Sequence, residues 1–182
     1  MPSAQEARPT HCSRCGVASR PVGQGLNLHG HGQRERQVRG PREVGGRPVL
    51  LLLRLRRYLC RCCKATVTVG PRGLWARRLF DVAALGLGLC LWGVQRQSMT
   101  QVYQQVNPWG RPQEMRGWRQ LGRWARQIQQ GRLFAGLCPG SMPQSPRAAA
   151  ERAAAAMAAR CPPHLLTQPI SQQVFAGAAL AV

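Results

Sequence analysis

Residues 56–69, "RRYLCRCCKATVTV", place three cysteines in four positions between an arginine-rich stretch and an alternating β-branched one. The stretch before it, "VLLLLRLRRYLC" (49–60), alternates at its end. Leu53 and Leu55 face one way, Arg54, Arg56 and Tyr58 the other, which is the period of a half-buried strand. "ATVTV" (65–69) resumes the pattern beyond the cysteines, and "VGPRG" (69–73) breaks it. The spacing predicts a hairpin with the cysteines at its tip.

Paired thiols three residues apart, in a C-x-x-C spacing, suit a tetrahedral metal, because two tight knuckles supply two soft ligands each. "CSRC" gives Cys12 and Cys15 in that spacing, followed by Gly16, which suits a sharp turn. In "CRCC" only Cys60 and Cys63 repeat it, so Cys62 is expected to point elsewhere. Cys12, Cys15, Cys60 and Cys63 are therefore the expected ligands of one Zn2+. The 44 residues between Cys15 and Cys60 exceed the roughly 15 to 20 of the compact pattern. Loop closure costs grow only logarithmically, so the longer loop is allowed. Unliganded thiols, or a histidine (His11, His29 or His31) in place of one cysteine, are the alternatives. Cys90 reads as a small core residue, and Cys138 and Cys161 as ordinary thiols.

The chain has 182 residues, with 26 basic residues against 6 acidic ones and a formal net charge of +20. All the basic residues but Lys64 are arginine. So positive a chain implies a polyanionic partner, with nucleic acid the leading expectation and an anionic membrane surface second. The longest apolar run, Val82 to Val94, has 13 residues, short of the roughly 20 that cross a bilayer. No secretory signal is legible, and eight cysteines without one suggest a reducing compartment, the cytoplasm or nucleoid.

Residues 22–48 read as loop. From Leu74 the pattern turns helical: a long apolar helix over 75–95, a short one in "SMTQVYQQV" (98–106) capped by Ser98, and a third over 114–131 ended by Gly131. After a proline- and glycine-marked linker, Ser145 and Pro146 start an alanine-rich helix that Pro162 and Pro163 close. The last residues carry no nameable chemistry. At 100° per residue, Arg116, Arg119, Arg123 and Arg126 share an arc of about 80° on the third helix. Trp118, Leu121, Ala125 and Ile128 share another. One apolar and one cationic face suit a groove-entering helix, and Arg111 in the preceding turn joins the expected DNA contacts. A plain solvated charged face is the alternative. Trp109 is expected to pack, and Trp124 to cover a loop or meet a partner.

Asp81 is the chain's only aspartate, beside five scattered glutamates. Metal-dependent DNA cleavage needs two or three clustered carboxylates. No phosphate-cradling loop or nucleophile constellation is legible either. The sequence therefore points away from an enzyme.

The segments "CSRCG", "RRYLCRCCKATVTVGPRG", "RRLFDVAALGLGLCLWGV" and "GWRQLGRWARQ", spread over about residues 11–134, resemble bacterial zinc-ribbon and helix-turn-helix proteins associated with insertion sequences. The resemblance matches Cys12, Cys15, Cys60 and Cys63 to ribbon ligands and Trp118 to Arg126 to a recognition helix. It departs at Lys64, where the family pattern usually has glycine, and at Cys62.

The expected fold is α+β. A small β-rich zinc ribbon covers 1–70, an all-α helix-turn-helix domain 74–132, and an alanine-rich helical tail 145–182. The expected function is sequence-specific binding of double-stranded DNA, as the non-catalytic recognition component of an insertion-sequence transposition system with a separate transposase. A stand-alone helix-turn-helix transcriptional regulator and a degenerate mobile-element relic are the alternatives.

Overall fold

The structure, a computed structural model, describes residues 3, 5–75, 78–109, 118–138, 140 and 145–181. It is α+β: a three-stranded sheet is followed by five α-helices among the described residues. The chain divides into two compact units, one of residues 1–37 and 52–71, the other of 38–51 and 72–182.

The sheet runs in the order β1 (Leu28–Gly40), β2 (Val49–Cys60), β3 (Thr66–Val69). β2 and β3 pair antiparallel, from Arg56 opposite Val69 to Leu59 opposite Thr66. This is the expected hairpin, with Cys62 and Cys63 in its turn. β1 falls where the sequence reads as loop, and that reading is corrected. Its middle, Gly30 to Gln37, is solvent-exposed apart from the half-buried Arg36. A strand so placed needs no alternating apolar residues; its neighbour in the sheet holds it through the backbone. Gly32, at φ +81, marks a local departure from extended backbone inside it.

The first unit has a very small core. Cys12, Leu28, Tyr58 and Cys60 are buried together, flanked by half-buried Val17, Cys63, Val67 and Val69. Half of its four buried members are thiols.

The second unit is built around α1 (Val82–Gly93), buried at every residue except Ala83. The helix starts later than the expected 75–95, because Asp81 caps it: its Oδ1 accepts the Ala84 N–H at 2.7 Å. α2 (Met99–Val106) begins with a reciprocal cap, Ser98 Oγ accepting from the Gln101 N–H and Gln101 Oε1 from the Ser98 N–H. α3 (Arg119–Gln129) ends at Gly131, which takes φ +65. α4 (Pro146–Ala158) starts as expected, with Ser145 Oγ accepting the Ala148 N–H.

A final helix, α5 (Ile170–Leu180), was not legible in the sequence: Pro169 at its N-cap makes no side-chain cap, and its apolar residues show little periodicity. Both α4 and α5 pack on α1, and α3 packs on α4. The small alanine and glycine side chains let α1 approach α4 and α5 closely. A Cβ at Gly86 would lie 2.7 Å from Ala178 Cβ, and one at Gly93 2.6 Å from the Glu151 nitrogen. At the other end of α1, Phe80, Trp118 and Trp124 meet edge-to-face with centroids 5.0 to 5.6 Å apart.

Candidate functional site

The two cysteine knuckles are built alike. In the first, the Cys12 N–H donates to the Val17 carbonyl and the Gly16 N–H to the Cys12 carbonyl, both at 2.9 Å. In the second, the Cys60 N–H donates to Ala65 and the Lys64 N–H to Cys60, again both at 2.9 Å. Each turn folds its two thiols toward the same point, and the small core described above sets the turns against each other.

The four expected sulfurs come together. Cys12, Cys15, Cys60 and Cys63 have their Sγ atoms within 4.8 Å of one another. Cys12 lies 3.7 Å from Cys63, and Cys15 lies 3.7 Å from Cys60, so the closest approaches cross between knuckles. A tetrahedron with metal–sulfur bonds of about 2.3 Å has edges of about 3.8 Å. The four cysteines are thus close enough to hold one metal ion, and their geometry fits it. Cys62 is exposed and lies outside the cluster. His29 is turned to the Leu26 carbonyl at 2.7 Å and His11 to Thr10 Oγ1 at 3.2 Å; no histidine joins the sulfurs among the described residues.

The electrostatics favour a cation at this point. Backbone N–H groups of Cys15 and Arg14 hydrogen-bond the Cys12 sulfur and bring its thiol down to about 6. At Cys15 the Val17 N–H pulls the same way. Burial and the sulfurs of Cys63, Cys12 and Cys60 outweigh it, and push that thiol up to about 12. The cluster accepts one negative charge readily and resists the next, as like charges in one site do. A bound cation removes that resistance. The amide donors from Arg14, Cys15 and Val17 were not singled out in the sequence, although the C-x-x-C-G spacing implies such a turn.

On α3, Arg119, Arg123 and Arg126 are exposed, and Leu121, Ala125 and Ile128 are buried, with Trp118 buried at its start. The two arcs lie as the periodicity suggests. Trp124 corrects the expectation of a partner contact: it is only 1 % exposed and completes the aromatic cluster. The buried stripe is simply wider than the arc drawn from four residues. Trp109 does not pack inward; it is 52 % exposed, with the Arg39 guanidinium 5.4 Å above its ring. Arg111 and Arg116 lie outside the described residues. Of the residues between α2 and α3, 110–117, where the expected third helix would begin, lie outside the described residues.

These features define a class: an α+β protein with a four-cysteine site able to hold a metal and a helix with an outward arginine face. Set against protein-family models, curated proteins and solved structures, the chain matches none of them. No helix among the described residues is long and apolar enough to cross a membrane.

Proposed function

We propose that this protein is a zinc-dependent, sequence-specific binder of double-stranded DNA. In this reading it serves as the non-catalytic recognition component of an insertion-sequence transposition system, beside a separate transposase. The observation that carries the reading is the exposed row of Arg119, Arg123 and Arg126 on a helix whose opposite face is buried. Three guanidiniums one turn apart suit phosphates and guanine edges through paired donors. None of the three has a carboxylate partner within ion-pair distance among the described residues. The net charge of +20 supplies the long-range attraction.

Zinc is favoured as the metal because four thiolates in a tetrahedron select soft or borderline cations. The non-catalytic role is supported by the fate of the sole aspartate: Asp81 is committed to capping α1. The mobile-element assignment rests on the resemblance of the cysteine and arginine segments.

The test is selection of bound duplexes from a random pool by the zinc-loaded protein, followed by band shifts at fixed salt. A recovered consensus bound in preference to scrambled DNA upholds the reading. Equal binding of every sequence, with only counterion-driven affinity, overturns sequence specificity.

A further inference from the structure

We propose that the pocket where the N-terminal lead meets the first cysteine knuckle is a binding site for a phosphate group. The pocket measures about 410 Å³ and lies wholly within the N-terminal unit, in the size range of small-ligand sites. Half-buried Arg8 and buried Ser19 form its inner side, and Gln5, Thr10 and Arg20 form an exposed rim.

The backbone holds this lining in shape. The arms of the knuckle pair antiparallel at His11 and Ala18, and the Ser19 N–H donates to the Thr10 carbonyl at 2.7 Å. Asn27 secures the same stretch. Its N–H donates to the Ser19 carbonyl at 2.9 Å, and its side-chain amide to the Ala18 carbonyl at 3.0 Å. The main chain of Ser19 is therefore fully bonded, while its hydroxyl has no such task. Ser19 Oγ and Arg8 Nε are both shielded from solvent without a hydrogen-bond partner among the described residues. A buried donor left without an acceptor is unfavourable, and these two line one pocket.

The charge points the same way. The N-terminal unit contains two acids, Glu6 and Glu35. Each is engaged elsewhere: Glu6 accepts the Ser3 N–H at 2.7 Å, and Glu35 lies 3.6 Å from Arg54. Neither lines the pocket. The neighbouring residues outside the described ones are Met1, Pro2 and Ala4, whose side chains bring no acid.

Two guanidiniums, two hydroxyls and an amide supply enough donors for the several oxygens of a phosphate. Guanidinium forks match phosphate oxygens pairwise, and hydroxyls add single bonds without adding charge. A carboxylate, with two oxygens in one plane, would leave part of this set unused. The exposed rim leaves room for whatever bears the phosphate, a nucleic-acid backbone or free phosphate in solution. The backbone source rests on the duplex reading given above; the site itself does not.

Amide NMR shifts of the full-length, zinc-loaded protein, titrated with inorganic phosphate against chloride at equal ionic strength, test this. Saturable shifts at Thr10, Ser19 and Arg20 are expected with phosphate and not with chloride. Ser19→Ala and Arg8→Gln should each weaken binding about tenfold. Arg72→Gln, the same charge change at an exposed site, should not. Arg8→Lys keeps the charge without the fork and should bind with intermediate affinity. Ser19→Ala also separates a ligand role from a structural one, because removing an unpartnered hydroxyl should leave the denaturation midpoint as high as in the wild type or higher. A lowered midpoint with undiminished phosphate binding overturns the proposal. So do shifts alike in phosphate and chloride, or equal losses in Arg8→Gln and Arg72→Gln.

Band shifts with a blunt duplex separate the two sources. Lower duplex affinity in Ser19→Ala, which changes no charge, assigns a backbone phosphate. Duplex affinity unchanged in Ser19→Ala and Arg8→Gln assigns free phosphate. Because the phosphate titration contains no DNA, its outcome is independent of Arg119 and Arg123, and failure of either reading leaves the other standing.

Discussion

Gly16 and Lys64 hold equivalent places in the two knuckles: each follows the second ligand of its pair and donates its N–H to the carbonyl of the first. Both lie in the left-handed region, at φ 71 and φ 58. Glycine adopts this conformation freely, whereas a side chain pays on the order of 1 kcal/mol. Lys64→Gly should therefore stabilise the metal-loaded protein by about 0.5–1 kcal/mol, part of the gain being offset by the freer unfolded chain. Denaturant unfolding of the two proteins at equal metal saturation measures it. Unchanged or lower stability would mean that the lysine makes a compensating contact.

Cys60→Ser should abolish stoichiometric metal binding and unfold residues 1–37 and 52–71, leaving the helical unit intact. The reason is the small core: Cys60 is both a ligand and one of its four buried residues. Cys62→Ser, at an exposed thiol outside the cluster, should leave the metal content unchanged. Metal analysis of purified proteins, with hydrogen exchange to locate the unfolding, separates the two outcomes.

Arg119→Ala and Arg123→Ala should leave helicity unchanged, because both side chains point to solvent. Each should weaken duplex binding and lower the slope of log affinity against log salt by about 1. Band shifts across a salt series read both quantities. A slope unchanged in the double variant would remove α3 from the DNA interface.

Burial raises the Asp81 carboxyl above the ordinary carboxylate value, against the pull of the Ala84 N–H and of Arg42. A raised folded-state value means that the group favours the folded state most below the unfolded-chain value of 3.8, and that this advantage is lost as pH rises through the folded value. Asp81→Asn keeps a capping oxygen without titrating. On acidification from neutral pH, the wild type should therefore gain stability relative to Asp81→Asn. Urea unfolding of the two metal-free proteins at pH 7 and about pH 3.5 checks the sign, and a shift the other way would contradict the burial of this group.

Gly177→Ala should destabilise the helical unit by about 3 kcal/mol, the upper end for overpacking. A Cβ there would run into the Met157 carbonyl, which is backbone and cannot rotate away. Gly136→Ala, where a Cβ meets open space, provides the reference. Thermal melts followed by circular dichroism are sufficient.

The metal-site residues were legible because ligand spacing is local: four residues define each knuckle, and Gly16 reveals its turn. Helix starts were legible at Ser98 and Ser145, where a side chain closes them, but not at Asp81, whose cap lies inside the stretch expected to be helical from residue 75. What escaped reading depends on distant partners. β1 takes its order from neighbouring backbone, so its sequence of histidine, glycine and arginine carries no strand pattern. α5 lacks a capping side chain because Pro169 stands at its N-cap, and its order comes from burial of Val174 and Ala178 against other helices. Trp124 was misplaced for a related reason: Phe80, far away in sequence, supplies the aromatic edge that draws it inward.

The scarcity of hydrocarbon beneath the knuckles has a physiological corollary. With so few apolar side chains to hold it closed, a metal ion held by the four cysteines would supply much of the N-terminal unit's cohesion. Starving a cell of that ion should expose this half to proteases while sparing the helices, so the abundance of intact chain becomes a readout of metal supply.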